Sequence, residues 1–168
     1  MATVRPFTAS DAPLIAAATR DVDILRWTLT DDAMPAERIE RWLADAASEL
    51  RDGATLRFAI VDTDADTAVG QIGLAPDWQH RIGEIFYWMI AAGRGRGLTA
   101  RAVRLVSEWA LGSARLARVE ISVDPRNAAS LAVARAAGFV EEGRLRSAHV
   151  FKGERVDTVM FSRLPTDG

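Results

Sequence analysis

An α/β fold in one domain spanning residues 1–168 is what this sequence predicts, and three observations carry that expectation. Leu56–Val61, Val69–Leu74 and Glu84–Ile90 have strand character and follow one another through short polar connections, as in an antiparallel meander. A glycine-rich turn, Arg94-Gly95-Arg96-Gly97, then leads through a helix to a further strand, Val119–Val123. Crossover logic sets that strand parallel to Glu84–Ile90. Phe139 opens a last strand, followed by a hairpin across Lys152-Gly153-Glu154 to Val156–Leu164.

Each element has a local reason. Thr3–Phe7 is a short strand candidate, and Ser10 is placed to cap a helix with Pro13 in its first turn and Leu14–Arg20 as its body. Asp21–Met34 is less regular. Pro35–Arg51 reads as a helix with Ile39, Trp42, Leu43, Ala46 and Leu50 on one face and Gly53 as its stop. Asp62–Thr67 and Ala75–Gly83 are polar turns between strands. After the glycines, Leu98, Ala102, Leu105, Val106 and Trp109 recur at helical spacing towards Gly112. Asp124-Pro125-Arg126-Asn127 turns into a helix over Ala128–Ala137, which Gly138 ends. No repeat, linker or low-complexity segment divides the chain.

Composition narrows the function classes. Hydrophobic residues make up 49% and charged residues 26%, the mix of a soluble globular protein. A net charge of −2 argues against nucleic acid as the partner, because phosphate-backbone binding needs a broad basic surface. The absence of cysteine removes disulfides, thiolate metal sites and a cysteine nucleophile, and His80 and His149 are the only imidazoles, so no metal is expected. No apolar run reaches about 18 residues and the first residues lack a signal pattern, so the expectation is a cytoplasmic protein without membrane contact.

The chemistry concentrates at the glycine-arginine turn. A strand, a glycine-rich turn and a helix start together trap anions, since the first amides of a helix have no internal partner and the dipole points the same way. Arg94, Arg96, Arg101 and Arg104 surround the turn with no acid between Ala91 and Leu105, and the expected guest is a phosphate or pyrophosphate. Gly95-x-Gly97-x-x-Ala100 also satisfies a dinucleotide fingerprint, with Glu120 about 20 residues on where a ribose-binding acid would stand. That distant alternative, an NAD-dependent oxidoreductase, is opposed by the antiparallel strands before the turn. A second constellation is Asn127-Ala128-Ala129-Ser130 with Gly138-Phe139, which has a plain reading as helix cap and core.

Taken together, Gly83–Trp88, Arg94–Gly97, Asp124–Ser130, Ala137–Phe139, Glu142–Arg146 and Lys152–Asp157 resemble, in order and spacing, the GNAT acyltransferase superfamily. Within it the chain looks most like the ribosomal-protein N-terminal acetyltransferase (RimJ/RimL-type) branch. The resemblance implies a mostly antiparallel mixed sheet, splayed between the fourth and fifth strands, with helices on both faces. It also implies an acyl-CoA-dependent N-acyltransferase acting in a ternary complex on a small-molecule or peptide amine, and it admits a homodimer. Acetyl-CoA is the expected donor, with succinyl-CoA or a merely CoA-binding, regulatory module as alternatives.

By the same resemblance, the family's pyrophosphate motif maps onto Arg94, Gly97 and Thr99, with Thr99 in place of the usual small residue, and Gly95, Arg96 and Leu98 complete the cofactor-binding candidates of this turn. The pantetheine arm pairs with main chain near Met89 and Ile90 and reaches Asn127. Many relatives place an acidic tyrosine where this chain has Val133; its only tyrosine is Tyr87, and the RimL-type branch proposes a serine that matches Ser130. Ser130 reads equally as a first-turn residue that orients the coenzyme. For the base there are two candidates. Glu84 shares a strand face with Phe86 and Trp88, whose company can desolvate and raise a carboxylate, while a strand-end ion pair is the plain alternative. His149 matches a carboxylate position of the branch and has an imidazole suited to an α-amine, or simply faces solvent. Trp27, Asp31, Asp32 and Trp88 are the acceptor-side candidates, with helix capping the competing explanation for the two aspartates.

Overall fold

In a computed structural model, which describes residues 1–167, the strands form one seven-stranded sheet. They are β1 (Ala2–Pro6), β2 (Leu56–Asp62), β3 (Thr67–Asp77), β4 (Ile82–Met89), β5 (Arg118–Val123), β6 (Val140–Phe151) and β7 (Glu154–Arg163), in the spatial order β1-β2-β3-β4-β5-β7-β6. Every pairing is antiparallel except β4 with β5. The helices are α1 (Ala12–Ala18), α2 (Val22–Trp27), α3 (Ala36–Asp52), α4 (Leu98–Gly112) and α5 (Ala128–Ala136).

The beginning of the chain differs from expectation in one respect. The turn before α1 is fastened through Thr8 and Asp11 rather than capped by Ser10. The Thr8 amide donates to the Asp11 carboxylate at 2.8 Å, and Arg5 grips the same carboxylate at 2.7 and 2.8 Å. Burial pushes that carboxyl up, but the bonds from Arg5 and Thr8 outweigh it and hold it below the ordinary range. The irregular stretch after α1 contains α2, whose first amides, Asp23 and Ile24, are capped by the Asp21 side chain.

Alternation along β4 divides the molecule. Ile85 and Met89 point into a core shared with Leu98, Ala102, Val103 and Val106 of α4. Trp88 points the other way, into a second core with Leu14, Ile15, Ile24, Ile39 and Leu43 from α1–α3. Each large aliphatic side chain buried here is worth about 1.5–3 kcal/mol against leaving it in water.

The parallel pair is short. β4 and β5 stay in register only at Ile82–Arg118, Gly83–Val119 and Glu84–Glu120, and beyond that point they part. The closed end is clamped by Arg118, whose guanidinium bonds Glu120 on its own strand and Glu142 on β6. Ser162 adds a bond to Glu142 at 2.7 Å, and these partners lower the Glu142 carboxyl to about 2.

Candidate active site

The split between β4 and β5 opens into a continuous cleft of about 1390 Å³ that reaches both faces of the sheet. One bank carries the start of α4 and the first turn of α5; the other carries α2, the loop after it and the β6–β7 hairpin.

On the α4 bank, Gly95 and Gly97 adopt φ of +72° and +70°, the left-handed region that glycine enters without strain. Helical bonding begins only with the Arg101 amide donating to the Gly97 carbonyl, so the amides of Leu98, Thr99 and Ala100 have no helical acceptor. No side chain caps this helix, in contrast to α2 and α5. The result is a cradle of main-chain donors at the positive end of a fifteen-residue helix.

The arginines around this cradle do not stand free. Arg94 donates through Nε to the Met89 carbonyl at 3.0 Å and through its guanidinium to Asp21 at 2.7 Å and Asp23 at 2.9 Å. Arg96 is paired with the buried Asp62, whose carboxyl it lowers, and approaches Asp64 at 3.8 Å. Arg101 bonds the Ala2 carbonyl at 2.9 Å and Arg104 the Ala136 carbonyl at 2.8 Å. The charge cluster seen in the sequence is thus balanced by acids and carbonyls distant along the chain. The anion-seeking groups are the amides.

At the split, the Ile90 amide donates to Val69 at 3.0 Å and the Ile90 carbonyl accepts from Gly93 at 3.0 Å. Its main chain is therefore engaged, and the expected pairing at Ile90 moves away from that residue. By strand alternation the main-chain groups of Tyr87 and Met89 face the gap, although Arg94 already occupies the Met89 carbonyl. Asn127 caps α5, its Oδ1 accepting from the Ser130 amide at 3.0 Å. The Ser130 hydroxyl lies 2.9 Å from the hydroxyl of Tyr87, a residue for which the sequence reading found no role. Burial pushes the Tyr87 phenol up to about 12.

On the opposite bank, the β3–β4 register sets Gln71 beside Trp88, and Gly73 beside Phe86. The Phe86 ring lies over Gly73, where a Cβ would come within 2.1 Å of the ring. Gln71 is 4% exposed and its Oε1 is buried without a hydrogen-bond partner. Arg57, paired with Glu49, has its guanidinium pushed down by burial and sits 5.8 Å from the Phe86 ring centre.

The predicted catalytic and acceptor residues fare unequally. Glu84 borders the cleft and is exposed rather than enclosed by its aromatic neighbours. His149 also borders the cleft and is exposed, with Nδ1 3.0 Å from Thr158 Oγ1. Trp27 and Trp88 line the bank opposite α4, with Arg26 4.8 Å over the Trp27 ring. Asp31 lines it too but is paired with Arg38 at 2.5 Å, and Asp32 lies outside the cleft. Of the two aspartates named as acceptor-side candidates, only Asp31 thus borders the cleft. Among the described residues no cluster of His, Cys, Asp and Glu is suited to a metal, and no helix is long and apolar enough to cross a membrane.

The split mixed sheet with an uncapped, glycine-led helix at its opening is of the α/β class. The acetyltransferase (GNAT) domain family matches residues 2–140, and the chain belongs to that family. It is 27% identical over 166 residues to the uncharacterized N-acetyltransferase p20 of Bacillus licheniformis, covering 96% of this chain and 92% of that one. Among solved structures it is similar in fold to the ribosomal-protein-S5-alanine acetyltransferase of Vibrio fischeri, with a TM-score of 0.83, 22% identity and 97% and 92% of the two chains covered. It is likewise similar in fold to RimL, a ribosomal L7/L12 α-N-protein acetyltransferase solved with coenzyme A, with a TM-score of 0.84, 20% identity and coverage of 97% and 93%. The protein is an acetyltransferase. Its single parallel strand pair is not the repeated parallel unit of a dinucleotide-binding fold, so the NAD alternative falls.

Proposed function

We propose that this enzyme moves an acetyl group from acetyl-CoA to a primary amine by direct attack in a ternary complex. The observation that carries the reading is the junction of two features. The uncapped start of α4 opens onto the same split that leads through the sheet to the acceptor bank. A long donor with a diphosphate at one end and a thioester at the other fits that path.

In this reading, amides from Gly95 to Thr99 grip the diphosphate, Tyr87 and Met89 offer main chain to the pantetheine arm, and Asn127 borders it. The arginines keep the cradle's shape rather than touching phosphate. Amides facing the split polarise the thioester carbonyl. Ser130 supplies a proton to the leaving thiolate, and a thiol pKa of about 8.5 keeps that demand modest. Glu84 and His149, both at the cleft, are the groups that can take the amine's proton.

The weak basic apparatus favours a weakly basic acceptor. An α-amine of pKa near 8 is about one-tenth neutral at pH 7, whereas a lysine near 10.4 is neutral in fewer than one molecule in a thousand. N-terminal peptide amines and small amines of similar basicity are the proposed substrates.

The test is thiol release from acetyl-CoA against a panel of peptide α-amines, lysine side chains and polyamines, with coenzyme binding measured separately. Turnover with α-amines ahead of lysine is expected. Failure of coenzyme A to bind would overturn the reading.

A further inference from the structure

Ser130 from α5 and Tyr87 from β4 meet at the split. Ser130 stands in the first turn of α5 with its amide fixed by Asn127, and Tyr87 stands on β4 beyond the last β4–β5 register pair. Their hydroxyls are 2.9 Å apart, and the phenol also lies 3.3 Å from the Ser130 carbonyl. Both residues border the cleft. The Tyr87 ring packs against the core beneath α4, so its hydroxyl is presented by a rigid strand rather than a loop.

A buried phenol whose ionisation is pushed up to about 12 keeps its proton through the working range. Either hydroxyl can donate across this contact, and the arrangement invoked for the reaction has the phenol donating to Ser130 Oγ. A serine hydroxyl has one hydrogen and two lone pairs. When one lone pair is engaged by the phenol, the serine hydrogen is turned away from Tyr87, towards the open cleft.

We propose that Tyr87 is a positioning residue that aims the Ser130 hydroxyl at the leaving sulfur. The inference rests on the acetyl-transfer reading above. As the amine nitrogen bonds to the acetyl carbon, the carbon–sulfur bond breaks and its electron pair goes to sulfur. Ser130 gives its proton to that sulfur and regains one from solvent in the open cleft, while Tyr87 keeps its own. Solvent also receives the proton lost by the amine, and the products are the amide and the free thiol.

Tyr87 is the chain's only tyrosine, which makes it open to a clean test. In Tyr87→Phe the ring stays and the hydroxyl goes. The kcat is expected to fall about 10- to 100-fold, at or below the low end of what positioned proton donors contribute, with coenzyme affinity and the acetyl-CoA KM within about twofold. Ser130→Ala is expected to lose a similar factor, and the double variant no more than Ser130→Ala alone, because the two groups act in series. Losses that multiply in the double variant, or an unchanged kcat in Tyr87→Phe, would overturn the proposal.

Biosynthetic replacement of tyrosine by a fluorotyrosine alters this one site with little change of shape and covers the case in which Tyr87→Phe does not fold. Its more acidic phenol is expected to draw an alkaline fall in kcat down the pH scale without moving KM. An unshifted profile would count against the role. Wild-type enzyme that binds coenzyme A and turns over while these variants match it removes the Tyr87 inference alone. Wild-type enzyme that releases no thiol with any amine removes both it and the acetyl-transfer reading.

Discussion

The face of the sheet beneath α4 and the face beneath α1–α3 meet at one cleft but are built by different means. Beneath α4 the cleft presents main-chain amides, set by positive φ at Gly95 and Gly97 and held by an apolar core running from Leu98 to Ala110. Beneath α1–α3 the cleft is lined by side chains, among them Trp27, Arg57, Gln71, Phe86 and Trp88, brought from α2, β2, β3 and β4. A backbone site suits a part of the substrate that never varies. A side-chain site can be altered one residue at a time, as an acceptor pocket requires. The two are joined by Arg94, which bonds the Met89 carbonyl beside the split and Asp21 and Asp23 at the start of α2.

The largest expected effect lies on the backbone side. A Cβ at Gly97 would meet nothing within 4 Å, so substitution there does not crowd the folded protein. It strains the left-handed backbone, by about 1–2 kcal/mol or more for a β-branched residue, and fills the space above the amides. Gly97→Val should weaken coenzyme A at least about 100-fold, which is about 2.8 kcal/mol, in a protein that still folds. Calorimetric titration with a melting curve measures both. Affinity close to wild type would break the contrast, because the anion would then be held elsewhere.

A smaller effect is expected across the cleft. His149→Ala leaves the Thr158 hydroxyl free and removes one exposed imidazole, so folding should be little affected. The rate with a lysine-type acceptor should fall about 10-fold and that with an α-amine by less, since the latter needs less help in losing a proton. Equal rates for both acceptors would take His149 out of the chemistry and leave Glu84.

How far the sequence reveals each face follows from the same contrast. The glycine turn and the crossover lie within contiguous segments, and local pattern reaches them, whereas the split follows only from the family resemblance. The pairing of the arginines does not, because Arg94 finds its acids 71 and 73 residues away. Helix α2 was hidden for a related reason. Six residues with two charges among them show no periodic run, and the Asp21 cap makes sense only once Arg94 is in place. Asn127 and Ser130 were legible through family resemblance, whereas Tyr87 was not, since strand alternation assigns it a face but no partner. Gln71 gave no signal at all: an amide in an apolar strand reads as tolerated until its oxygen proves to be buried and unpartnered.

That oxygen supplies the next prediction. A buried acceptor without a partner costs about 1–3 kcal/mol, and an apolar side chain of similar size relieves the cost. Gln71→Leu should raise the melting temperature by about 2–4 °C, the shift expected of about 1 kcal/mol in a chain of this size. Coenzyme affinity should stay unchanged. A drop in stability would show that the amide is satisfied in solution, and a change in coenzyme affinity would show that the two faces are not separable.

The smallest effect belongs to the clamp that both faces share. Arg118 and Ser162 hold the Glu142 carboxyl at about 2, against an ordinary 4.5, so the folded state favours its ionised form. That contribution is fully present above pH 4.5 and is lost as pH falls towards 2. The Glu142 side chain is 39% exposed, so solvent screening keeps the contribution within about 1 kcal/mol. Glu142→Gln should therefore melt slightly below wild type at neutral pH, with the gap narrowing below pH 4.5 and closing near pH 2. A gap that stays constant with pH would mean that the variant perturbs packing at the closed end of the split rather than the ion pair. Coenzyme affinity should follow the gap, because this clamp fixes where β4 and β5 begin to part.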